Sequence, residues 1–273
     1  MKKTLLIVLG AIGAAGLASV QAQLINVNFT DANINTSFGG GDATPAPPGT
    51  TMSGAAVLGS AGDVWNGLGG FTYAAPGGAA TYTSGPLVNS AGAATGVSLS
   101  LSAPSGTYGA NSVNWNNYST FSWATLGNEQ TLTGGPFTPY SALYSHTLVA
   151  NSAAGNGNVT LTGLAANQAY NLVLYSASDL NVGAGRTGTF TVNGVTQTTL
   201  WTASGATTLI PGVDYTEYVS TLSSGTGTLT INFGNLGGSE SDLNGFQLQA
   251  VPEPGTLALL GMGLPLFFIR RRK

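Results

Sequence analysis

The sequence predicts an all-β protein, built as a two-sheet antiparallel sandwich, from three observations. Apolar and polar residues alternate in short runs such as Val97–Leu101, a pattern typical of half-buried strands. These runs recur roughly every ten residues with glycine-rich turns between them, as in other sandwiches, and the chain contains 41 glycines. The spacing of apolar residues that marks an amphipathic helix is almost missing between residues 23 and 250.

The strand signals follow one another along the chain. The run 170–175 is the most apolar and predicts a central strand, and alternation in 97–101 points Val97, Leu99 and Leu101 inward. Asn193-Gly194 suits a type I′ hairpin turn, because both positions of that turn need positive φ. The predicted strands are Leu24–Phe29, Val97–Leu101, Asn158–Thr162, Tyr170–Tyr175, Thr187–Val192, Val195–Leu200, Tyr215–Leu222, Gly227–Phe233 and Leu243–Gln249.

Residues 34–95 give weaker signals. The glycine- and proline-rich run 39–50 predicts a surface excursion. Trp65, near Asp63 and Asn66 and amid glycines, predicts a loop that packs across the mouth of the sandwich. No internal repeat or linker precedes Val251, so residues 23–250 are predicted to form one domain.

Residues 1–22 have the three parts of a secretory signal peptide. Lys2 and Lys3 precede the apolar run 5–18, and the small-residue site predicts cleavage between Ala22 and Gln23. This predicts export through the Sec translocon and trimming by signal peptidase. The alternative is an uncleaved N-terminal anchor.

The last 23 residues, 251–273, also have three parts. Pro252, Glu253 and Pro254 form a stiff start, and residues 256–269 carry no charge. The uncharged run predicts a transmembrane helix whose basic end, Arg270, Arg271, Arg272 and Lys273, stays in the cytoplasm as a stop signal. The alternative is a buried helix, since 14 residues reach only ~21 Å of the ~30 Å hydrocarbon core. The charges favour the membrane, because six of the seven Lys and Arg residues stand at the two chain ends.

Pro-Glu-Pro, a short apolar run and a terminal Arg cluster resemble the PEP-CTERM sorting signal of Gram-negative bacteria. The resemblance implies recognition by exosortase, a membrane protease thought to remove the tail. It therefore implies an inner-membrane intermediate that is passed to the cell surface or to an extracellular matrix.

The second half of the exported part is similar to the jelly-roll domains of the galactose-binding-like and malectin-like group. The motifs that carry the similarity are the strand 170–175, the run from Arg186 through Phe190 to Gly194, and the final run 243–248 with its Asn-Gly pair. Many members of the group bind carbohydrate, so the resemblance implies a jelly-roll-like fold and allows extracellular polysaccharide as a partner.

Charge and composition exclude several classes of function. Residues 23–250 carry one basic and nine acidic side chains, a net charge of −8 (one minus nine) against −3 for the whole chain. Nucleic acid is therefore excluded as a partner, since no basic stripe can displace counterions. The chain has no cysteine and only one histidine, His146, which excludes thiol catalysis and multi-histidine metal sites.

Aromatic and amide side chains are the candidate ligand-binding residues. Trp115 and Tyr118 lie in an asparagine-rich stretch predicted to be a loop, and Trp65 lies in the loop described above. Ring faces can stack on a sugar while amides bind its hydroxyls. Arg186 either grips an acidic sugar or pairs with an acid such as Asp179. Trp115 could equally be a loop anchor.

The sequence predicts no catalytic residues and no required cofactor. Asp214 and Glu217 are close together but are better explained as solvated turn acids than as a glycosidase pair. The sequence also allows a structural calcium ion, with Asp31 and Asp242 as oxygen ligands. The sequence thus favours a non-enzymatic exported surface or matrix protein; the alternative is a polysaccharide-active enzyme, a glycoside hydrolase or lyase, on the same scaffold.

Overall fold

A computed structural model describes residues 23–29, 52–68, 80–103, 113–117, 140–144, 146–150, 157–176, 187–200, 208–234 and 241–252. The described part is almost entirely β-structure, and the helix found in it is one turn, α1, at Ser141–Tyr144. The prediction of an all-β protein is therefore confirmed.

Fourteen strands are found in the described ranges. In chain order they are β1 Leu24–Phe29, β2 Asn66–Leu68, β3 Ala80–Thr83, β4 Ser98–Ala103, β5 Val113–Asn117, β6 His146–Ala150, β7 Gly157–Thr162, β8 Ala169–Tyr175, β9 Thr187–Val192, β10 Val195–Leu200, β11 Tyr215–Leu222, β12 Leu229–Phe233, β13 Ser241–Leu243 and β14 Gly245–Ala250.

These strands form two main sheets and one small sheet. The five-stranded sheet has the order β11-β8-β14-β1-β2, and the six-stranded sheet has the order β10-β9-β12-β7-β4-β3. The small sheet has the order β13-β6-β5. All neighbours are antiparallel except β1 and β2, which pair in parallel. The predicted sandwich is confirmed in its two main sheets, whereas the parallel pair and the small sheet were not predicted.

The main core lies between the two large sheets. Strand alternation decides which side chains enter it, and Val97, Leu99 and Leu101 are buried there as predicted. Leu172 and Leu174 of β8 enter the same core from the opposite sheet. The largest side chains fully buried in this core include Phe29, Phe190, Phe233 and Phe246. Apolar burial on this scale is the main force that holds the two sheets together.

Two stretches differ from their predictions. Val113–Asn117 is strand β5 rather than a loop, because pairing with β6 outweighs the poor strand propensity of its three asparagines. The predicted last strand is interrupted at Asn244. Before this residue, β13 pairs with β6 in the small sheet, and after it, β14 pairs with β8 and β1 in the five-stranded sheet. The main chain of Asn244 bonds to both Tyr175 and Phe29, which holds this crossing in place.

The hairpin between β9 and β10 forms as predicted. Asn193 and Gly194 have φ values of 49° and 78°, the positive values that a type I′ turn needs. The turn is also fixed from outside, since Asn193 Nδ2 donates to Leu222 O at 2.7 Å.

The two ends of the described domain lie side by side. The amide of Ala250 donates to Gln23 O at 3.1 Å, and the amide of Val251 donates to Ala169 O at 2.8 Å. Gln168 Nε2 donates to Val251 O at 2.6 Å, so β14 is held up to the residue before Pro252. Within the described ranges, no helix is long and apolar enough to cross a membrane; the predicted helix at 256–269 and the signal peptide lie outside them.

Candidate functional site

The five-stranded sheet has buried side chains on both of its faces. Along β8, Leu172 and Leu174 face the main core, so Val173 and Tyr175 must face the other way. This second face, the outer face, carries its own apolar cluster, which includes Val173, Tyr175 and Leu143 of α1. A sheet with one solvated face would not need such a cluster, so the outer face is covered by other parts of the chain.

The cover is residues 52–65, the cover segment, and it is held by a buried hydrogen-bond network. Gln247 Oε1 accepts from Leu58 N at 2.8 Å and from the Tyr175 hydroxyl at 2.5 Å. Gln247 Nε2 donates to Asn26 Oδ1 at 2.8 Å and to Leu58 O at 3.0 Å. Val57 N in turn donates to the Tyr175 hydroxyl. The Gln247 amide thus bonds twice to Leu58 of the cover segment and once each to Tyr175 and Asn26 of the sheet, so it ties the segment to the sheet.

An aromatic cluster stands where the cover segment, α1 and β11 meet. We define the tyrosine cluster as Trp65, Tyr140, Tyr144, Tyr175 and Tyr215. The Tyr175 ring is at its centre, with ring centroids 6.3 Å from Trp65, 6.2 Å from Tyr144 and 6.2 Å from Tyr215. These distances and tilted arrangements are in the favourable range for aromatic pairs.

The cluster has a buried part and an exposed part. Trp65 and Tyr144 are buried, and both polar atoms are satisfied: Trp65 Nε1 donates to Gly54 O, and the Tyr144 hydroxyl donates to Asp214 O. Tyr140 and Tyr215 are partly exposed. The partly exposed rings therefore rest on a rigid, fully hydrogen-bonded base.

Ionisation does not interfere with these hydroxyls near neutral pH. Burial raises the pKa of Tyr144 well above its ordinary value, and it raises that of Tyr175 as well. Burial, assisted by Glu217 and Asp214, also raises the pKa of Tyr215. The tyrosines thus stay neutral and can donate hydrogen bonds.

Two carboxylates lie beside the cluster in different environments. Asp214 is buried, and its Oδ2 accepts from Ile210 N at 2.7 Å within the turn before β11. Burial raises the pKa of Asp214, although the bond from Ile210 acts in the opposite direction. Glu217 is exposed and pairs in register with Val173, which places it on the outer face. The carboxylate of Glu217 is thus open to solvent, whereas that of Asp214 is engaged in its own turn.

The structure places two of the sequence-predicted ligand residues. Trp65 belongs to the buried base of the tyrosine cluster, with 4% of its surface exposed, and offers no free ring face. The backbone of Trp115 lies in β5, where it pairs with Leu148 of β6, and its side chain is not described.

The other predicted site residues are not described. Tyr118, Arg186 and Asp31 lie outside the described residues, and Arg186 directly precedes β9. Asp242 lies in β13, with its backbone paired to Val149, and its side chain is not described. In the described part, no three His, Cys, Asp or Glu side chains come together as a metal site. Calcium at Asp31 and Asp242 stays a prediction.

Sequence reasoning missed Tyr140, Tyr175 and Tyr215 as a group. A signal was present, because Tyr215 and Glu217 alternate along one strand and must share a face. What the sequence could not show is that β11 pairs with β8, which sets Tyr215 directly beside Tyr175.

Residues 250–273 match the PEP-CTERM protein-sorting motif. The resemblance drawn from Pro252, Glu253 and Pro254 is thereby confirmed. The match implies that the protein is exported and sorted to the cell surface or beyond as a substrate of exosortase. Comparison with curated protein sequences gives no match.

Several solved structures are similar to part of the chain. The ANX2 ectodomain from Arabidopsis thaliana matches with 13% identity and a TM-score of 0.29, over 42% of this chain and 35% of that one. An exo-beta-1,3-galactanase from Phanerochaete chrysosporium, with beta-1,3-galactotriose, matches with 21% identity and a TM-score of 0.27, over 38% and 23%. The CBM36-1 domain of a multidomain xylanase from the hindgut metagenome of Trinervitermes trinervoides matches with 15% identity and a TM-score of 0.24, over 39% and 79%. The chain spans about a third of the plant receptor chains that it matches.

Proposed function

We propose that the exported domain is a non-enzymatic binding protein that holds a neutral polysaccharide on the tyrosine cluster. In this proposal the Sec translocon and signal peptidase export the chain, its tail anchors it briefly in the inner membrane, and exosortase releases it. The observation that carries the binding role is the pair of partly exposed rings, Tyr140 and Tyr215, beside the exposed carboxylate of Glu217.

The aromatic part of the surface is suited to the apolar C–H face of a sugar ring. Tyr215 is backed by the Tyr175 ring, and Tyr140 packs against the same cluster. Because the base is buried and hydrogen-bonded, little conformational freedom is lost when a ligand stacks on it. Tyrosine also has an apolar body and a polar end, the combination that a sugar offers in return.

Charge favours a neutral ligand. Glu217 accepts hydrogen bonds from hydroxyl groups, and the net charge of −8 on residues 23–250 would repel an acidic polysaccharide. Ligand binding through rings and neutral hydroxyls should also depend little on salt, because exposed charges contribute little to it.

The position of the tyrosine cluster along β8 supports binding at a distance from the C-terminal tail. Ala169 at the start of this strand bonds to Val251, next to the tail, whereas Tyr175 at its other end belongs to the tyrosine cluster. Six residue steps along a strand span about 20 Å. A tail held in a membrane would therefore leave the cluster about 20 Å from the start of the tail.

A second candidate function is hydrolysis of the polysaccharide. Asp214, with its raised pKa, and Glu217 would be the acid and the second carboxylate of a glycosidase. The bond from Ile210 N to Asp214 Oδ2 weighs against this role, because it ties the carboxylate to its own turn.

The test is a glycan-array screen of the exported protein, followed by binding measurements with the best neutral glycan. Tyr215→Leu should weaken binding by about twofold to tenfold, the effect of losing one aromatic contact of about 0.5–1.5 kcal/mol. Val219→Ala, on the same strand and 69% exposed, is the matched control and should bind like the wild type.

Two results would contradict the proposal. Equal binding by the Tyr215→Leu and Val219→Ala variants would remove the tyrosine cluster as the site. Release of new reducing ends that stops in both Asp214→Asn and Glu217→Gln variants would establish the enzyme instead.

A further inference from the structure

One side of the sandwich consists of two end strands. β10 ends the six-stranded sheet, and β11 ends the five-stranded sheet. They run along each other, since Gln197 Nε2 donates to Glu217 O at 2.8 Å and Asn193 Nδ2 donates to Leu222 O at 2.7 Å. End strands expose unpaired main-chain groups and are the parts of a sheet that other chains can join.

This side is unusually apolar, and its strand β10 lacks the common protection of an edge. Four large apolar side chains on these two strands are 49–69% exposed: Val195, Leu200, Val219 and Leu222. The sequence of β10, VTQTTL, contains no lysine, no proline and no charge. Natural edge strands usually carry such residues because they block pairing with a second chain.

The hairpin determines which main-chain amide and carbonyl groups of β10 are not bonded to β9. A two-residue turn closes on a hydrogen-bonded pair, here Val192 and Val195, so residues 195, 197 and 199 bond to β9. The main-chain groups of Thr196, Thr198 and Leu200 therefore point away from β9. The amide of Leu200 donates to Gly212 O at 2.8 Å. Among the described residues, no hydrogen bond reaches the amide or carbonyl groups of Thr196 and Thr198 on that side.

We propose that β10 is the interface through which two copies of this chain pair. An antiparallel copy related by a twofold axis at Gln197 sets Thr196 opposite Thr198 of the second copy, and the reverse. Each of these two pairs exchanges two hydrogen bonds, so the four open groups on each chain are all satisfied. An axis at Thr198 would instead require the Leu200 amide, which Gly212 already occupies.

Electrostatics allows this partner despite the acidity of the domain. Because β10 is uncharged, no like charges stand directly opposite each other in the pairing. The contact continues the six-stranded sheet across the twofold axis, and exposed side chains of β10 such as Val195 gain neighbours there. The interface uses no residue of the tyrosine cluster, so this proposal does not depend on the proposed binding of a polysaccharide.

The chain contains no cysteine, which permits a direct test by single-cysteine crosslinking. Gln197 would form a non-hydrogen-bonded pair with itself across the axis, at a Cα separation of about 4.5 Å, within the range that a disulfide needs. The Gln197→Cys variant of the full chain, exported by its host and treated with copper phenanthroline as oxidant, should run as a disulfide-linked dimer. Ser102→Cys, an exposed position on β4 of the same sheet, is the control and should form no disulfide-linked dimer.

A second variant blocks the edge without touching the cysteine. Thr198→Lys, added to Gln197→Cys, should abolish the crosslink, whereas Ser102→Lys added to the same background should not. The wild-type full chain in detergent should have the mass of a dimer by light scattering, and the Thr198→Lys variant should have that of a monomer.

Three results would overturn the proposal. These are a monomeric wild-type chain at high concentration, equal crosslinking of the Gln197→Cys and Ser102→Cys variants, and a crosslink that survives Thr198→Lys. The light-scattering comparison decides the matter if the cysteine variant fails to fold.

Discussion

Replacing Gln247 with leucine would test whether the buried hydrogen-bond network holds the cover segment on the outer face. Gln247 is fully buried, and its amide makes four hydrogen bonds, two to Leu58 and one each to Tyr175 and Asn26. Leucine has a similar size but can make none of them. The change therefore removes the partners and keeps most of the volume.

The expected loss follows from which of these groups can reach water. Leu58 is partly exposed, so its amide and carbonyl can bond to solvent instead. The Tyr175 hydroxyl and Asn26 Oδ1 belong to residues that are fully buried. Leaving a buried polar group without its partner costs about 1–3 kcal/mol, so the two together cost roughly 2–6 kcal/mol. For a domain of this size that corresponds to a fall of about 4–24 °C in Tm.

The assay is thermal unfolding of the exported protein, followed by far-ultraviolet and near-ultraviolet circular dichroism. Gln249→Leu is the matched control, since Gln249 is on the same strand and face but is partly exposed. That change should alter the free energy of unfolding by no more than about 0.5 kcal/mol. If Gln247→Leu lowers Tm no more than Gln249→Leu does, the network does not stabilise the cover segment and the account given of it is wrong.

Three further changes have defined outcomes. Folding raises the pKa of Asp214, so the contribution of this group to stability is complete below its unfolded pKa and is lost as pH rises through its folded pKa. The Tm of Asp214→Asn should therefore rise relative to that of the wild type as pH increases from acid to neutral. Parallel curves of Tm against pH for the two proteins would contradict this. Gly163→Ala should lower Tm more than Gly194→Ala does. Both glycines have positive φ, but of the two only Gly163 would place the new Cβ against a main-chain oxygen. Equal losses of Tm would exclude that collision. The intact mass of surface-extracted protein should correspond to a start near Gln23 and an end within 252–256, and a product that keeps the basic tail would refute tail removal.

Much of the sandwich could be predicted because strand period and turn chemistry are local properties. The strands Leu24–Phe29 and Tyr215–Leu222 have the bounds predicted from the sequence, and the hairpin forms at Asn193-Gly194. β5 was missed because its pattern of asparagines is typical of loops, and only its pairing with β6 makes it a strand. The division of the last strand at Asn244 likewise depends on contacts distant in sequence.

The candidate site was harder to predict, because it is defined by the second face of one sheet. The sequence predicts a packing role for Trp65 in a loop, but for its partner Tyr175 it predicts only a place in a central strand. A central strand with one covered face and one solvated face would have left Tyr175 in water. The cover segment is what makes that face a second core, and the weak signals of residues 34–95 did not show that it returns across the sheet.

In this domain, neutral amide side chains connect separate segments of the chain, as ion pairs often do in other proteins. Asn66 Nδ2 donates to Asn26 O and Val88 O, and Gln168, Gln197 and Gln247 each donate to a main-chain carbonyl of another segment. Such bonds gain most where the carbonyl would otherwise be buried without a partner, and they are not screened by salt. An amide can also donate and accept at once, as a lysine or an aspartate cannot, so one glutamine can fix both the amide and the carbonyl of a covering loop. With one basic side chain, residues 23–250 can therefore still connect their segments, and they carry almost none of the positive charge that would bind the protein to anionic neighbours.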